Sequence, residues 1–382
     1  MWNDIINNPT DVKYVHTLKE ILQQPECWEK TGQLILENKS LEKFLTEALK
    51  DKFRPIIVSG AGSSEFAAKS ILDTLSTRLN RRVLNAASTD IVINPDIFSI
   101  PNEPALMISF ARSGNSPESV ASVELVRQIC PTTKHLIITC NNNGALAKMK
   151  NENTFCIILP DETNDQSLVM TSSFSSMILA AVLCSYFTDK EYAYRAIEQV
   201  CQYTKTIFTS VVEQLELIMK NPNIERIQYL GSSDAYGLLT EGHLKMLEMT
   251  DGRIATRIDS FLGLRHGPQV FVNKNTVVVA ILSIDPYVRK YEIDMLRELK
   301  SKNQGYAYIV IGNNPNEVEL LNLVSYSTGE CDNFFRLLPS IVIVQMLGFF
   351  KSLYLGLSPD VPSNSGTINR VVQGVIIYPF NK

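Results

Sequence analysis

Five short stretches of this chain carry residue types at spacings that could do chemistry. Three lie in the first half and are rich in Ser, Thr and Gly: Ser59-Gly-Ala-Gly-Ser-Ser64, Ser109-Phe-Ala-Arg-Ser-Gly-Asn-Ser116 and Met170-Thr-Ser-Ser173. Such loops bring backbone N–H groups and hydroxyls to one point, which suits a phosphate monoester without needing a metal. A single Gly-rich turn is most often only a tight turn, but three in one half point to phosphate. The candidate contacts are Gly62, Ser63, Ser64, Arg112, Ser113, Gly114, Ser116, Thr171 and Ser172. The first loop is not a G-x-G-x-x-G followed by an acid suited to a ribose, and no G-x-x-x-x-G-K-[ST] occurs, so dinucleotide and nucleoside triphosphate binding lose ground.

The other two stretches lie in the second half. Glu241-Gly-His-Leu-Lys-Met-Leu-Glu248 reads as a helix that puts Lys245 and Glu248 on one face at i, i+3; taken alone, such a pair is usually a solvated ion pair. Leu264-Arg-His-Gly-Pro268 holds His266 before two residues that end regular structure, where an imidazole can titrate near neutrality and move protons. Glu65 reads as a helix N-terminal acid and Arg265 as a surface cation. The histidines (His16, His135, His243, His266) form no H-x-x-x-H or H-E-x-x-H, and the seven cysteines form no C-x-x-C, so no metal site is expected and the thiols read as reduced core residues.

The elements that position these loops follow from the hydrophobic pattern. From His16 to about Lys50, Leu, Ile and Phe recur at helical spacing, broken by Pro25, which predicts two helices in an N-terminal arm. After Pro55 come short apolar runs (Ile56–Val58, Ala105–Ile108, His135–Cys140, Phe155–Leu159) separated by helical stretches, the rhythm of a parallel sheet covered by helices. A long helical stretch from Tyr186 to Lys220, closed by Asn221-Pro-Asn223, reads as a connector. The rhythm restarts with Ile227–Gly231, Asn275–Ser283 and Ala307–Gly312. Because Tyr229–Gly237 echoes Val58–Phe66, with small residues straight after a strand, the chain reads as a duplicated α/β domain. The boundaries expected are an arm at 1–50 and domains at 51–205 and 206–382.

Composition sets the outer limits. Lys and Arg number 36 against 40 Asp and Glu, a net charge of −4, so binding nucleic acid by bulk positive charge is not expected. With 45% hydrophobic and 20% charged residues the chain can bury real cores. Ile341–Phe350, interrupted by Gln345 and stopped by Lys351, is shorter than the roughly 20 residues of a membrane span and reads as a buried helix. No basic, apolar leader pattern opens the sequence, so a cytoplasmic product with no membrane partner is expected.

Together these motifs resemble the sugar isomerase (SIS) family of phosphosugar-binding domains, in its double-domain form. The Ser-Gly-Ala-Gly-Ser-Ser stretch, Ala111 to Ser119, Thr171-Ser-Ser173, Lys245 with Glu248, and Arg-His-Gly-Pro look like elements of the isomerase half of glucosamine-6-phosphate synthase. The run from Glu241 through Arg265–Pro268, Ser283–Tyr287 and Asn369–Pro379 looks most like the tagatose-6-phosphate ketose/aldose isomerase branch, associated with galactosamine-6-phosphate deamination. The resemblance implies two flavodoxin-like domains, the first anchoring phosphate and the second doing acid-base chemistry. It also implies a phosphosugar substrate, no cofactor, and assembly as a homodimer or homotetramer. Glu248 then falls at the carboxylate that moves the proton between C1 and C2, His266 at the ring-opening histidine, and Lys245 near the reacting carbons. Two departures stand out. Ala111 replaces a serine of the synthase's phosphate loop, leaving Arg112 or a backbone group to compensate; and Val372 and Gln373 stand nearest the synthase's Schiff-base lysine, so imine catalysis there is not expected. The rivals to an isomerase/deaminase are a non-catalytic phosphosugar-binding regulator and a phosphosugar lyase.

Overall fold

The apolar runs become the strands of two parallel sheets in a computed structural model that describes residues 2–329, 331–332, 334–363, 366–372 and 374–381. The first sheet contains β1 (Ile56–Gly60), β2 (Val83–Ala87), β3 (Leu106–Ala111), β4 (Lys134–Thr139) and β5 (Thr154–Ile158), in the order β2-β1-β3-β4-β5. The second contains β6 (Arg226–Leu230), β7 (Ala255–Asp259), β8 (Thr276–Ile281), β9 (Ala307–Gly312) and β10 (Leu323–Ser327), in the order β10-β9-β8-β6-β7. Read outward from their first strands, the two orders are the same. Both are the flavodoxin-like 2-1-3-4-5 arrangement, so the chain is a duplicated α/β fold of the kind the resemblance implied.

The central strands β1, β3, β8 and β9 are buried along their whole length, which is why they read as continuous apolar runs. The three strands that the hydrophobic pattern does not announce, β2, β7 and β10, are all sheet edges with one wet face. An edge strand in β7 can carry Thr256, Arg257 and Asp259 because only part of its surface meets the core.

By packing, the chain divides into two compact units. One comprises Met1–Pro25, Ser167–Val169 and Ala196–Thr367; the other comprises Glu26–Gln166, Met170–Arg195 and Ile368–Lys382. The N-terminal region is helical over Trp2–Asn7, Val15–Leu22, Gln24–Leu36 and Lys39–Ala48. Pro25 stands in the first turn of its helix, where a missing N–H costs nothing. Asn38 caps the last helix by accepting from Leu41 N at 2.9 Å. Each half is tied to its own unit: Asp360 accepts from His16 N and Thr17 N at 3.0 and 2.7 Å, and the fully buried Trp28 donates through Nε1 to Ser175 Oγ at 2.9 Å. The connector is helical over Lys190–Thr206 and Val212–Met219, with a π turn at Ile207–Val211 between them.

The apolar stretch around Ile341 extends further than its run of hydrophobic residues suggests. It is an 18-residue helix, Leu337–Tyr354, long and apolar enough by composition to cross a membrane, yet 89% buried within the protein. Its polar residues are accommodated: Gln345 accepts from Gln24 Nε2 at 2.7 Å, and Lys351 donates to Asn221 O at 3.0 Å. The helix therefore has its apolar surface covered within its own chain. It packs on helix Asp234–Met249, and the approach is close because Gly242 faces Val344; a Cβ there would overlap its Cγ1. That contact seats the helix bearing Lys245 and Glu248.

Candidate active site

In the unit holding the first sheet, the Ser/Thr/Gly loops follow the carboxyl ends of strands, where helix N-termini present unpaired N–H groups. The chain leaves β1 through Gly62 at φ +57° and ψ −127°, a conformation for which glycine has no Cβ penalty, and enters helix Ser63–Lys69. Ser63 and Ser64 occupy its buried first turn. Glu65 pairs with Lys69 at 2.6 Å on the same helix.

After β3 the loop is braced from several sides. Asn141 Nδ2 donates to Ser113 O at 2.8 Å, Leu146 N donates to Gly114 O at 3.0 Å, and Ala145 N donates to Asn115 Oδ1 at 2.9 Å. Ser113 Oγ accepts from Asn115 N at 3.3 Å, and Ser116 leads into helix Pro117–Ile129 without capping it through its side chain. Arg112 is buried, and its Nη2 donates to Arg370 O at 2.5 Å. Arg370 in turn donates through Nε to Asp165 O at 2.8 Å and through Nη2 to Asn164 Oδ1 at 3.0 Å, so the C-terminal segment is stitched to this loop. Of the two residues standing nearest the synthase's lysine, Val372 is exposed and Gln373 lies outside the described residues.

Thr171 and Ser172 are fully buried at the start of helix Ser172–Leu183, and there they meet Asp165, a residue to which the sequence reading assigned no role. Its carboxylate accepts from Thr171 N and Ser173 N at 2.8 and 2.9 Å and from the hydroxyls of Thr171, Ser172 and Ser173. An internal carboxylate thus satisfies donors that would otherwise face a ligand anion. The available signal was an acid six residues before a Thr-Ser-Ser helix start, which is also what a distant capping residue looks like.

In the other unit, helix Asp234–Met249 brings three charges together. Lys245 Nζ lies 3.2 Å from Glu241 Oε1 and is hydrogen-bonded to Glu248 Oε2. Lys245 and Glu241 side chains are 0% exposed and that of Glu248 is 19% exposed, so this is a buried cluster rather than a solvated pair, with one carboxylate reaching the surface. Burial works against the Lys245 charge, and the two carboxylates more than restore it, holding the ammonium above its ordinary range. Glu241, at i−4 from Lys245, is the member the spacing left out.

His266 is exposed, on the turn after helix Phe261–Leu264, and Gly267 beside it has φ +113°. Among the described residues its ring has no hydrogen-bond partner. The turn is anchored by its neighbour: Arg265 Nε donates to Glu298 Oε2 at 2.6 Å, and Lys302 Nζ to Glu298 Oε1 at 2.6 Å. Hydrogen bonds from Lys302 and Arg265 hold the Glu298 carboxyl down at about 2. Arg265 is therefore a strut for the His266 turn rather than a loose surface cation.

No family model matches the chain. It is similar to D-galactosamine-6-phosphate deaminase AgaS of Shewanella sp. (strain ANA-3), with 36% identity over 371 residues that cover 96% of this chain and 92% of the relative. Among solved structures it is similar to tagatose-6-phosphate ketose/aldose isomerase from Escherichia coli, with a TM-score of 0.87, 34% identity, and coverage of 95% and 96% of the two chains. The C-terminal domain of glucosamine-fructose-6-phosphate aminotransferase from Francisella tularensis shares the fold, with a TM-score of 0.79 at 17% identity over 91% of this chain and 98% of that domain.

Proposed function

The chain belongs to the AgaS family of the double-SIS-domain proteins, and from that membership we propose that it is a phosphosugar isomerase/deaminase that converts galactosamine-6-phosphate to tagatose-6-phosphate and ammonia. The observation that carries the mechanism is the buried Glu241–Lys245–Glu248 cluster, in which a fully buried ammonium holds the one carboxylate that reaches solvent.

The chemistry needs one base on one face. His266 assists opening of the pyranose by moving a proton between O5 and O1, which exposes the C1 aldehyde. Glu248 then takes the C2 proton, the C2–H electron pair forms the C1–C2 double bond, and the carbonyl electron pair goes to the aldehyde oxygen, which takes a proton from water to become an enol hydroxyl. Returning the proton to C1 shifts the double bond to C2–N, leaving an imine. Water adds to C2 and ammonia leaves, so amino sugar phosphate plus water gives ketose phosphate plus ammonia. With a hydroxyl at C2, the same transfer is plain aldose-ketose isomerisation. General base catalysis of this kind supplies about 10²–10⁴-fold. Lys245 acts through Glu248, holding its carboxylate in place by a hydrogen bond, while Glu241 balances the buried charge. The loops at Gly62–Ser64 and Arg112–Ser116 are assigned to the phosphate and, with Thr171 and Ser172, to holding the open chain in register, so that remote binding energy goes into orientation.

We further propose that the arm at 1–50 and the domains at 51–205 and 206–382 are the functional divisions, and that the enzyme works in the cytoplasm as a homodimer or homotetramer. Light scattering on the purified protein reads the assembly directly. For the reaction, the protein is incubated with galactosamine-6-phosphate while ammonia and ketose-6-phosphate are followed together. Equal yields of both, lost in Glu248→Gln with phosphosugar binding retained, support the assignment. Saturable binding with neither product overturns the deaminase reading.

A further inference from the structure

The duplication allows the two halves to be compared atom by atom at the crevice where each sheet's strand order reverses. In the first half that crevice is bordered by the Gly62 turn after β1, the Ser113 loop after β3, and Thr171 at the head of the apolar helix Ser172–Leu183. Each has a counterpart in the second half. Ser233, after β6, takes φ 56° and ψ −135°, nearly the conformation of Gly62, although it carries a Cβ. Ser283 stands two residues past β8 as Ser113 stands two past β3, and each hydroxyl accepts from the N–H two residues on, Asp285 N at 3.1 Å and Asn115 N at 3.3 Å. Arg336 immediately precedes the apolar helix Leu337–Tyr354 as Thr171 precedes its own.

A further difference lies on the helix that follows each serine. Both helices that follow these serines begin with proline, Pro117 and Pro286; six residues on, the first half has the buried Val123 and the second has Glu292. Glu292 is 1% exposed. Its Oε1 accepts from Ser232 Oγ at 2.7 Å and its Oε2 from Ser283 N at 2.6 Å. Arg336, 4% exposed, donates to Leu282 O at 2.6 Å and its Nε has no partner. Burial pushes the Glu292 carboxyl up, and the hydrogen bonds from Ser232 and Ser283 with the charges of Arg336 and Arg289 work against that rise.

We infer that the second SIS domain keeps an anion-binding crevice and that Glu292 is its built-in anion. A carboxylate grown from the domain's own helix takes the hydroxyl and the loop N–H that a phosphate would need, with a buried guanidinium close enough for its charge to act on it. The crevice is thereby closed to phosphate monoesters. The chain binds one phosphosugar rather than two, although its fold carries two equivalent crevices.

The test does not depend on catalysis. Removing the side chain in Glu292→Ala empties the position and takes one carboxylate charge away from Arg336, whereas Glu292→Gln fills it without the charge. Unfolding is measured for wild type and both variants in inorganic phosphate and in chloride at matched ionic strength. The wild type and E292Q respond to phosphate equally, through whatever first-half site they share. E292A is less stable in chloride and gains additionally in phosphate, its folding equilibrium rising about 11-fold beyond the wild-type response when phosphate is ten times its dissociation constant. No extra response in E292A overturns the inference. If E292A does not fold in chloride, refolding from urea reads the same point: recovery in phosphate alone supports the crevice, and failure in both media refutes it.

Discussion

Replacing Lys245 by methionine tests the central cluster most directly. The two side chains have similar length, so packing is roughly conserved, but the buried Glu241 loses the ammonium at 3.2 Å and Glu248 loses its hydrogen-bond donor. Removing one partner of a buried pair strands an uncompensated charge, at a cost of about 3–5 kcal/mol. At roughly 2–4 °C per kcal/mol, the melting midpoint falls by about 6–20 °C at neutral pH. The deficit narrows as pH drops, because a buried, unpaired carboxyl is easily held as the neutral acid. The double variant Glu241→Gln/Lys245→Met removes both charges and recovers most of the stability, since neutral groups of similar volume replace a buried pair at little cost. It nevertheless remains inactive, with Glu248 no longer held. Urea unfolding of the single and double variants at pH 5 and pH 8, beside ammonia release, measures all of this. A single variant as stable as wild type, or a double variant no better than the single, refutes the reasoning.

His266→Asn slows turnover of the cyclic substrate and spares an open-chain analogue; equal loss on both removes ring opening from its role. His135 is buried with neither ring nitrogen hydrogen-bonded, and burial, with Arg127 nearby, lowers its pKa to about 3. Because the unfolded chain binds the proton more readily, near pH 6.5, the stability from the neutral ring is present above that value and lost as pH falls toward 3, amounting to about 2 kcal/mol by pH 5. His135→Met removes that slope, as urea midpoints at pH 7 and pH 5 will read; an unchanged slope shows that other groups govern acid unfolding. Asp165→Asn costs about 1–3 kcal/mol by weakening the donors gathered from Thr171, Ser172 and Ser173, and raises KM for the phosphosugar more than it lowers kcat. A KM unchanged in the face of lower stability restricts Asp165 to folding.

How far sequence patterns reach can be judged strand by strand. β1, β3, β4, β8 and β9 are covered on both faces, so their residues are apolar throughout and announce themselves. β2, β7 and β10 sit at edges, half wet, and their mixed composition carries no period strong enough to read. The duplication was visible because the turn after the first strand of each half needs small residues whatever else diverges. In the same way, the Ser-rich loops and the Lys-x-x-Glu face were legible as residue types at local spacings, while Glu241 was not.

Local spacing by itself determined the α/β class, the doubled domain and the candidate residues, because helix and strand periods, turn chemistry and loop composition act over a few neighbours. Burial and partnership were decided only by tertiary structure. An i, i+3 pair reads as solvated until helix Leu337–Tyr354 packs against its helix and leaves Lys245 without exposure. That Thr171 and Ser172 share their hydroxyls with a buried carboxylate does not show until Asp165 is found accepting from both. Glu292 reads as one more charge on an amphipathic helix until Ser232, 60 residues earlier, arrives beside it. The free energy of a charge or hydroxyl depends on its surroundings, and those come from chain segments far away in sequence.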